Sequence, residues 1–115
     1  MKYLLMVYGD EAAMAAVSPS DAEKTTGAYM AYAEAMKTAG VYIGGERLRP
    51  TNAATTLRAV NGTTKVLNGP YAETREQLGG YFMIDVPDLD AALTWAARCP
   101  GASHGVVEVR PLWPM

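Results

Sequence analysis

Tyr3-Leu4-Leu5-Met6-Val7-Tyr8 has no polar face. Alternate side chains of a strand point to opposite sides, so a run that is apolar at both parities predicts a strand covered on both faces. Tyr81-Phe82-Met83-Ile84-Asp85-Val86 is a second such run, with Phe82, Ile84 and Val86 on one side and Tyr81, Met83 and Asp85 on the other. Two strands of this kind belong in the middle of a sheet. Between them, Ser18-Pro19-Ser20-Asp21 reads as a helix start: Ser18 caps, Pro19 suits the first helical position and Asp21 meets the positive end of the dipole. Tyr29, Ala33 and Met36, with Tyr32 beside them, form its expected buried stripe. Gly40 supplies a left-handed stop. Val41-Tyr42-Ile43 opens a strand that ends in Gly44-Gly45-Glu46-Arg47.

Beyond a loop at residues 49–54, Thr55–Val60 and Thr63–Leu67 flank Asn61-Gly62, a strong signal for a two-residue hairpin turn. That register sets Arg58 opposite Lys65, a like-charge pair that needs solvent or an anion. Asp88 starts a second helix with Leu89, Leu93 and Ala96 as its stripe and Ala92 alongside. Pro100-Gly101 ends it, and Gly105–Pro111 is the last strand. The order is β-α-β, a hairpin, then β-α-β. This predicts an α+β, ferredoxin-like βαββαβ sandwich with an inserted β-hairpin, in a single domain over residues 1–115. Two helices cover only one face of such a sheet, yet the central strands are apolar on both. We therefore expect a homodimer whose sheets meet face to face.

Composition narrows the partners. The chain has 115 residues, half of them hydrophobic, with a net charge of −2 and a pI near 5.3. It is long enough for one well-buried core, and the acidic balance argues against direct nucleic-acid binding. The apolar run at 3–8 is too short to cross a membrane and has no signal-peptide pattern. A cytoplasmic protein is expected. Cys99 and His104 are single residues of their kind, which argues against a disulfide framework or a protein-built metal site. No cofactor motif occurs, because Gly44-Gly45 and Gly79-Gly80 stand alone.

The richest polar chemistry lies in Asn68-Gly69-Pro70-Tyr71-Ala72-Glu73-Thr74-Arg75-Glu76-Gln77-Leu78-Gly79-Gly80. It is longer than an ordinary connector, and ordered loops of this kind carry binding residues. A short surface helix with Glu73 and Gln77 on one turn is the plainer reading, in which Arg75 anchors Glu108 or Glu46 and the motif only builds the fold. In the last strand Glu108 and Arg110 share one side, opposite Val107 and Val109. They are either an ion pair across the dimer or the polar lining of a pocket between sheets, near Tyr81. His104 is either a general base or a solvated loop side chain. The candidates for proton transfer are thus His104 and Glu108. Those for ligand binding are Asn68, Arg75, Tyr81 and Arg110, with the arginines facing an anionic group.

The 68–80 stretch resembles the signature Asp-Gly-Pro-Phe-Ala-Glu-Thr-Lys-Glu of the YCII-related, or DGPF-domain, family. Met1–Tyr8, Gly44–Leu48, Trp95–Pro100 and Gly105–Pro111 extend the likeness along the chain. The resemblance implies a ferredoxin-like fold that dimerises into an α/β barrel, and an enzymatic activity that rests on a His/Asp pair. It also implies an association with extracytoplasmic-function sigma factors, hence a regulatory role in transcription initiation. That is the alternative to a ligand-binding function. Three positions depart from the signature: Asn68 for aspartate, Tyr71 for phenylalanine and Arg75 for lysine. An amide is neither a base nor an anion at neutral pH. Position 68 is therefore expected to act structurally, by hydrogen bonding at the Gly-Pro turn.

Overall fold

The computed structural model describes residues 1–114. It is an α+β chain built on an antiparallel four-stranded sheet. Strands β1 (Lys2–Gly9), β2 (Tyr42–Arg47), β5 (Gln77–Asp85) and β6 (Val106–Pro111) stand in the order β2-β5-β1-β6. The strands apolar on both faces, β1 and β5, are the central pair. Strands β3 (Thr55–Val60) and β4 (Thr63–Asn68) pair only with each other. Helices α2 (Pro19–Thr38) and α3 (Leu89–Arg98) cover one face of the larger sheet. The arrangement is compatible with a ferredoxin-like fold.

Both long connections start where the sequence places them. The Ser18 hydroxyl accepts the Asp21 N–H at 3.2 Å, and the Asp88 carboxylate accepts the Ala91 N–H at 2.9 Å. Gly40 ends α2 at φ +75°. The core forms where Tyr3 and Leu5 of β1 and Ile84 of β5 meet Tyr32 and Met36 of α2 and Ala92 and Ala96 of α3. Phe82 lies on the same side, edge-on to Tyr32 at 5.2 Å between centroids. The buried Tyr32 hydroxyl donates to the Trp95 carbonyl at 2.7 Å, which ties the two helices together.

Four features depart from the sequence expectation. A short helix α1 (Glu11–Ala15) follows β1, capped by Asp10. The loop at 49–54 contains one 3₁₀ turn, Thr51–Ala53. On α3 the inward residues are Ala92 and Ala96, while Leu89 and Leu93 lie exposed. Small side chains let this helix settle close to the sheet, and Trp95 then meets Tyr32. Finally, β5 begins at Gln77, so Gly79-Gly80 lie within a strand. A bulge at Val7/Tyr8 absorbs Gly79, and Gly80 pairs with Val7 and with Arg47.

Candidate functional site

The strand registers define the sheet face that the helices leave uncovered. Glu46, Tyr81, Met6 and Glu108 form one row across all four strands. Gly44, Met83, Leu4 and Arg110 form the next row on the same face. Met6, Leu4 and Met83 thus make an apolar floor. Tyr81 stands on one side of Met6, and Glu108 with Arg110 stands on the other. Tyr81 and Glu108 are two strands apart, about 10 Å between backbones.

Arg110 donates from Nη2 to Glu108 Oε2 at 2.5 Å. The ion pair forms within one strand, and its guanidinium is largely exposed. Such pairs contribute about 0–1 kcal/mol, so it is not what holds the fold together. Both groups keep further capacity: Arg110 has N–H donors beyond the one used, and Glu108 has a second carboxylate oxygen. The face offers a donor, an acceptor and a phenol around an apolar floor.

The signature segment lies elsewhere. Residues 69–76 are irregular, with no helix, so Glu73 and Gln77 do not share a helical turn. Side chains take over the backbone bonding there. Gln77 donates to the Thr74 carbonyl at 2.7 Å and accepts the Glu11 N–H at 3.0 Å. Gly69, at φ +117°, donates its N–H to Ala54 at 2.7 Å and closes the hairpin. Tyr71 lies against the hairpin, with the Arg58 guanidinium 5.3 Å from its ring. Lys65 is the cross-strand neighbour of Arg58. An open cleft of about 290 Å³ lies between the segment and the 3₁₀ turn, lined by Thr51, Pro70, Ala72, Glu73, Thr74 and Gln77. A second cleft of about 270 Å³ is lined by Arg47, Leu48, Arg49 and Pro50.

The predicted site residues therefore divide. Tyr81, Glu108 and Arg110 share the uncovered face. Arg75 is exposed and makes no ion pair among the described residues, so it anchors neither Glu108 nor Glu46. The Asn68 amide is exposed and forms no hydrogen bond among the described residues, which leaves the expected turn-capping role without a contact. His104 is exposed, with Nδ1 3.0 Å from the Ser103 hydroxyl. It precedes edge strand β6 and stands off the Tyr81–Glu108 row.

Two contributors escaped the sequence reading. Glu46 completes the row and becomes visible only through the β2–β5 register. Glu11 accepts both the Thr51 N–H at 2.8 Å and the Thr51 hydroxyl at 2.7 Å, which pins the base of the hairpin. The Asp10 cap just before it was the available signal.

Comparison with known proteins agrees with this architecture. The chain is 42% identical over 118 residues to an uncharacterised protein of Rhizobium meliloti (strain 1021), a match covering 97% of this chain and 92% of that one. It superposes with a TM-score of 0.52, at 16% identity, on 5-chloro-2-hydroxyhydroquinone dehydrochlorinase from Burkholderia phenoliruptrix AC1100, solved in complex with 2,5-dihydroxybenzoquinone. That superposition covers 98% of this chain and 94% of the other and speaks for the fold. The family model of the YCII-related domain matches residues 1–115, and the chain belongs to that family.

Proposed function

We propose that the chain binds a small oxygen-bearing compound, acidic or anionic, on the uncovered sheet face, with a second copy of the sheet as its lid. The observation that carries this is the row Glu46–Tyr81–Met6–Glu108 with Arg110 beside it. Apolar surface with a few convergent polar groups is the usual composition of a small-molecule site. Tyr81 and Glu108 flank Met6 two strands apart, about 10 Å between backbones, a spacing on the scale of a single ring compound. Arg110 donates to a ligand oxygen, Tyr81 offers its hydroxyl, and Glu108 accepts a ligand hydroxyl. If a reaction follows binding, Glu108 is the group placed to take that proton. The fold relative's complex with 2,5-dihydroxybenzoquinone supports a ring compound of this class by analogy.

The test is calorimetry and thermal melting of the purified chain with 2,5-dihydroxybenzoquinone and small hydroxybenzoates. Ligand at a hundredfold excess over its dissociation constant stabilises the folded state by about 2.7 kcal/mol. Arg110→Ala should abolish that shift and leave the sedimentation of the protein unchanged. A full shift in the variant, or none from any of these compounds with the parent, would remove the proposal. Loss of assembly in the variant would assign Arg110 a structural role.

A further inference from the structure

We infer that the β3–β4 hairpin is an arm that docks its uncharged face on a second copy of this chain and carries Asn68 into the space between the copies. The inference rests on the two-copy site proposed above and extends it to a segment outside the sheet.

The first observation is surface. The chain exposes 8189 Å², whereas a folded monomer of 12.3 kDa exposes about 6,100 Å². Its radius of gyration is 16.1 Å in a body measuring 48 × 43 × 18 Å, against about 13 Å for a compact chain of similar length. The excess, about 2,000 Å² per chain, matches what obligate homodimers bury.

The second observation is the hairpin itself. It has no third strand, and a lone two-stranded hairpin is marginal in water. Its base is nevertheless fixed. Glu11 holds Thr51, and the Thr56 hydroxyl donates to the Gly69 carbonyl at 2.8 Å. Its faces differ in chemistry. One carries Arg58 and Lys65, with Tyr71 laid over Arg58. The other carries Thr55, Leu57, Ala59, Thr64, Val66 and Asn68 and has no charge. On it Leu57 is 67% exposed and Val66 61%.

A second copy fits better than an unrelated protein for two reasons. The arm is inserted between β2 and β5, the strands that bring Glu46 and Tyr81 to the uncovered face, so a copy seated on that face lies next to the base of the arm. That face mixes both signs of charge, Glu46 and Glu108 with Arg110, and a two-fold axis can match such a surface to itself. Asn68 lies on the docked side of the arm, which gives a role to an exposed amide that has no hydrogen-bond partner among the described residues.

The experiment uses the full chain carrying Leu57→Cys, labelled with a benzophenone maleimide; buried Cys99 is shielded from the reagent. Illumination of the purified protein should give a covalent species of twice the chain mass, with the cross-link mapped to the partner copy by mixing isotopically light and heavy chains. Independently, the double variant Leu57→Ser/Val66→Ser, which removes only exposed side chains, should raise the dimer dissociation constant roughly a hundredfold in sedimentation equilibrium without changing the circular dichroism. A chain that stays dimeric with an unchanged dissociation constant and cross-links only within itself overturns the arm and leaves the two-copy site standing. Cross-links that form only with another protein in a cell extract overturn it in favour of a different partner. A parent chain that is monomeric at every concentration overturns both.

Discussion

Gly80 shows how one residue's missing side chain sets the sheet. A Cβ at this position would come within 2.8 Å of the Glu46 carbonyl oxygen and 3.4 Å of the Arg47 Cα, both backbone atoms of β2. Neither can swing aside, so β2 and β5 would have to separate. Gly80→Ala is therefore expected to destabilise the fold by about 1–3 kcal/mol, measured by urea unfolding. Gly45 works in the same way from the other strand, where a Cβ would come within 2.8 Å of the Tyr81 carbonyl oxygen. Tyr32 is the polar counterpart. Tyr32→Phe keeps the ring contacts with Phe82 but leaves the Trp95 carbonyl without its donor, at a cost of about 1–3 kcal/mol in the same assay. The adjacent glycines at the start of β5 differ. Gly80 is needed for close approach, and Gly79 occupies a bulge with room for a Cβ.

Among the elements, the hairpin was the easiest to read and the hardest to explain. Asn61 at φ 50° and Gly62 at φ +76° take up the turn that the dipeptide predicts, and Arg58 does face Lys65. The sequence could not show that Tyr71, from the following loop, would lie over Arg58. Nor could it show Glu11 gripping Thr51, because those residues are 40 positions apart. Glu11→Ala should speed hydrogen exchange at the Thr51 and Ala54 amides severalfold while leaving β1 and β5 protected; equal acceleration in all four segments would make Glu11 a global stabiliser instead. Helix α3 was read correctly at Ala96 and Ala92, which face the core, and wrongly at Leu89 and Leu93, which lie exposed. Periodicity alone favours the larger side chains. Packing selects the smaller ones because the helix must approach closely enough for Trp95 to receive the Tyr32 hydrogen bond. The Ser18 cap needed no such context, and Ser18→Ala should cost about 1 kcal/mol.

At the scale of the whole molecule, three acids held neutral between helices and sheet give a pH signature. Burial first, then the neighbouring Cys99, pushes Tyr29 up to about 12. The same causes raise Tyr32 further, and burial raises the Cys99 thiol. In the unfolded chain these groups ionise at their ordinary values, so between those values and the folded ones the native state holds more protons. Their contribution to stability is complete below about pH 9 and falls as pH rises through 10 toward 12. The urea midpoint should drop over that interval, with tyrosinate absorbance appearing together with unfolding rather than ahead of it. A midpoint flat to pH 12 would mean that these groups ionise in place. No helix among the described residues is long and apolar enough to cross a membrane.

What the sequence determined by itself was local: the strands apolar on both faces, the caps at Ser18 and Asp88, the Asn61-Gly62 turn, and a signature long enough to identify the family. Each depends on neighbours along the chain, so a pattern suffices. The candidate site was legible only as a set of residue types. Glu108 and Arg110 could be placed together because alternation puts them on one side of a strand. Tyr81 was expected near them from the same alternation, whereas Met6 and Glu46 joined only once the register between strands was fixed, since a shift of one residue would turn each of them toward the helices. Asn68, Arg75 and His104 were drawn to the same site by chemistry, and within one chain they stand outside the Tyr81–Glu108 row. Asn68 ends a hairpin that stands outside the main sheet, and His104 precedes an edge strand. Their positions follow from strand order and long-range packing, which no local pattern encodes.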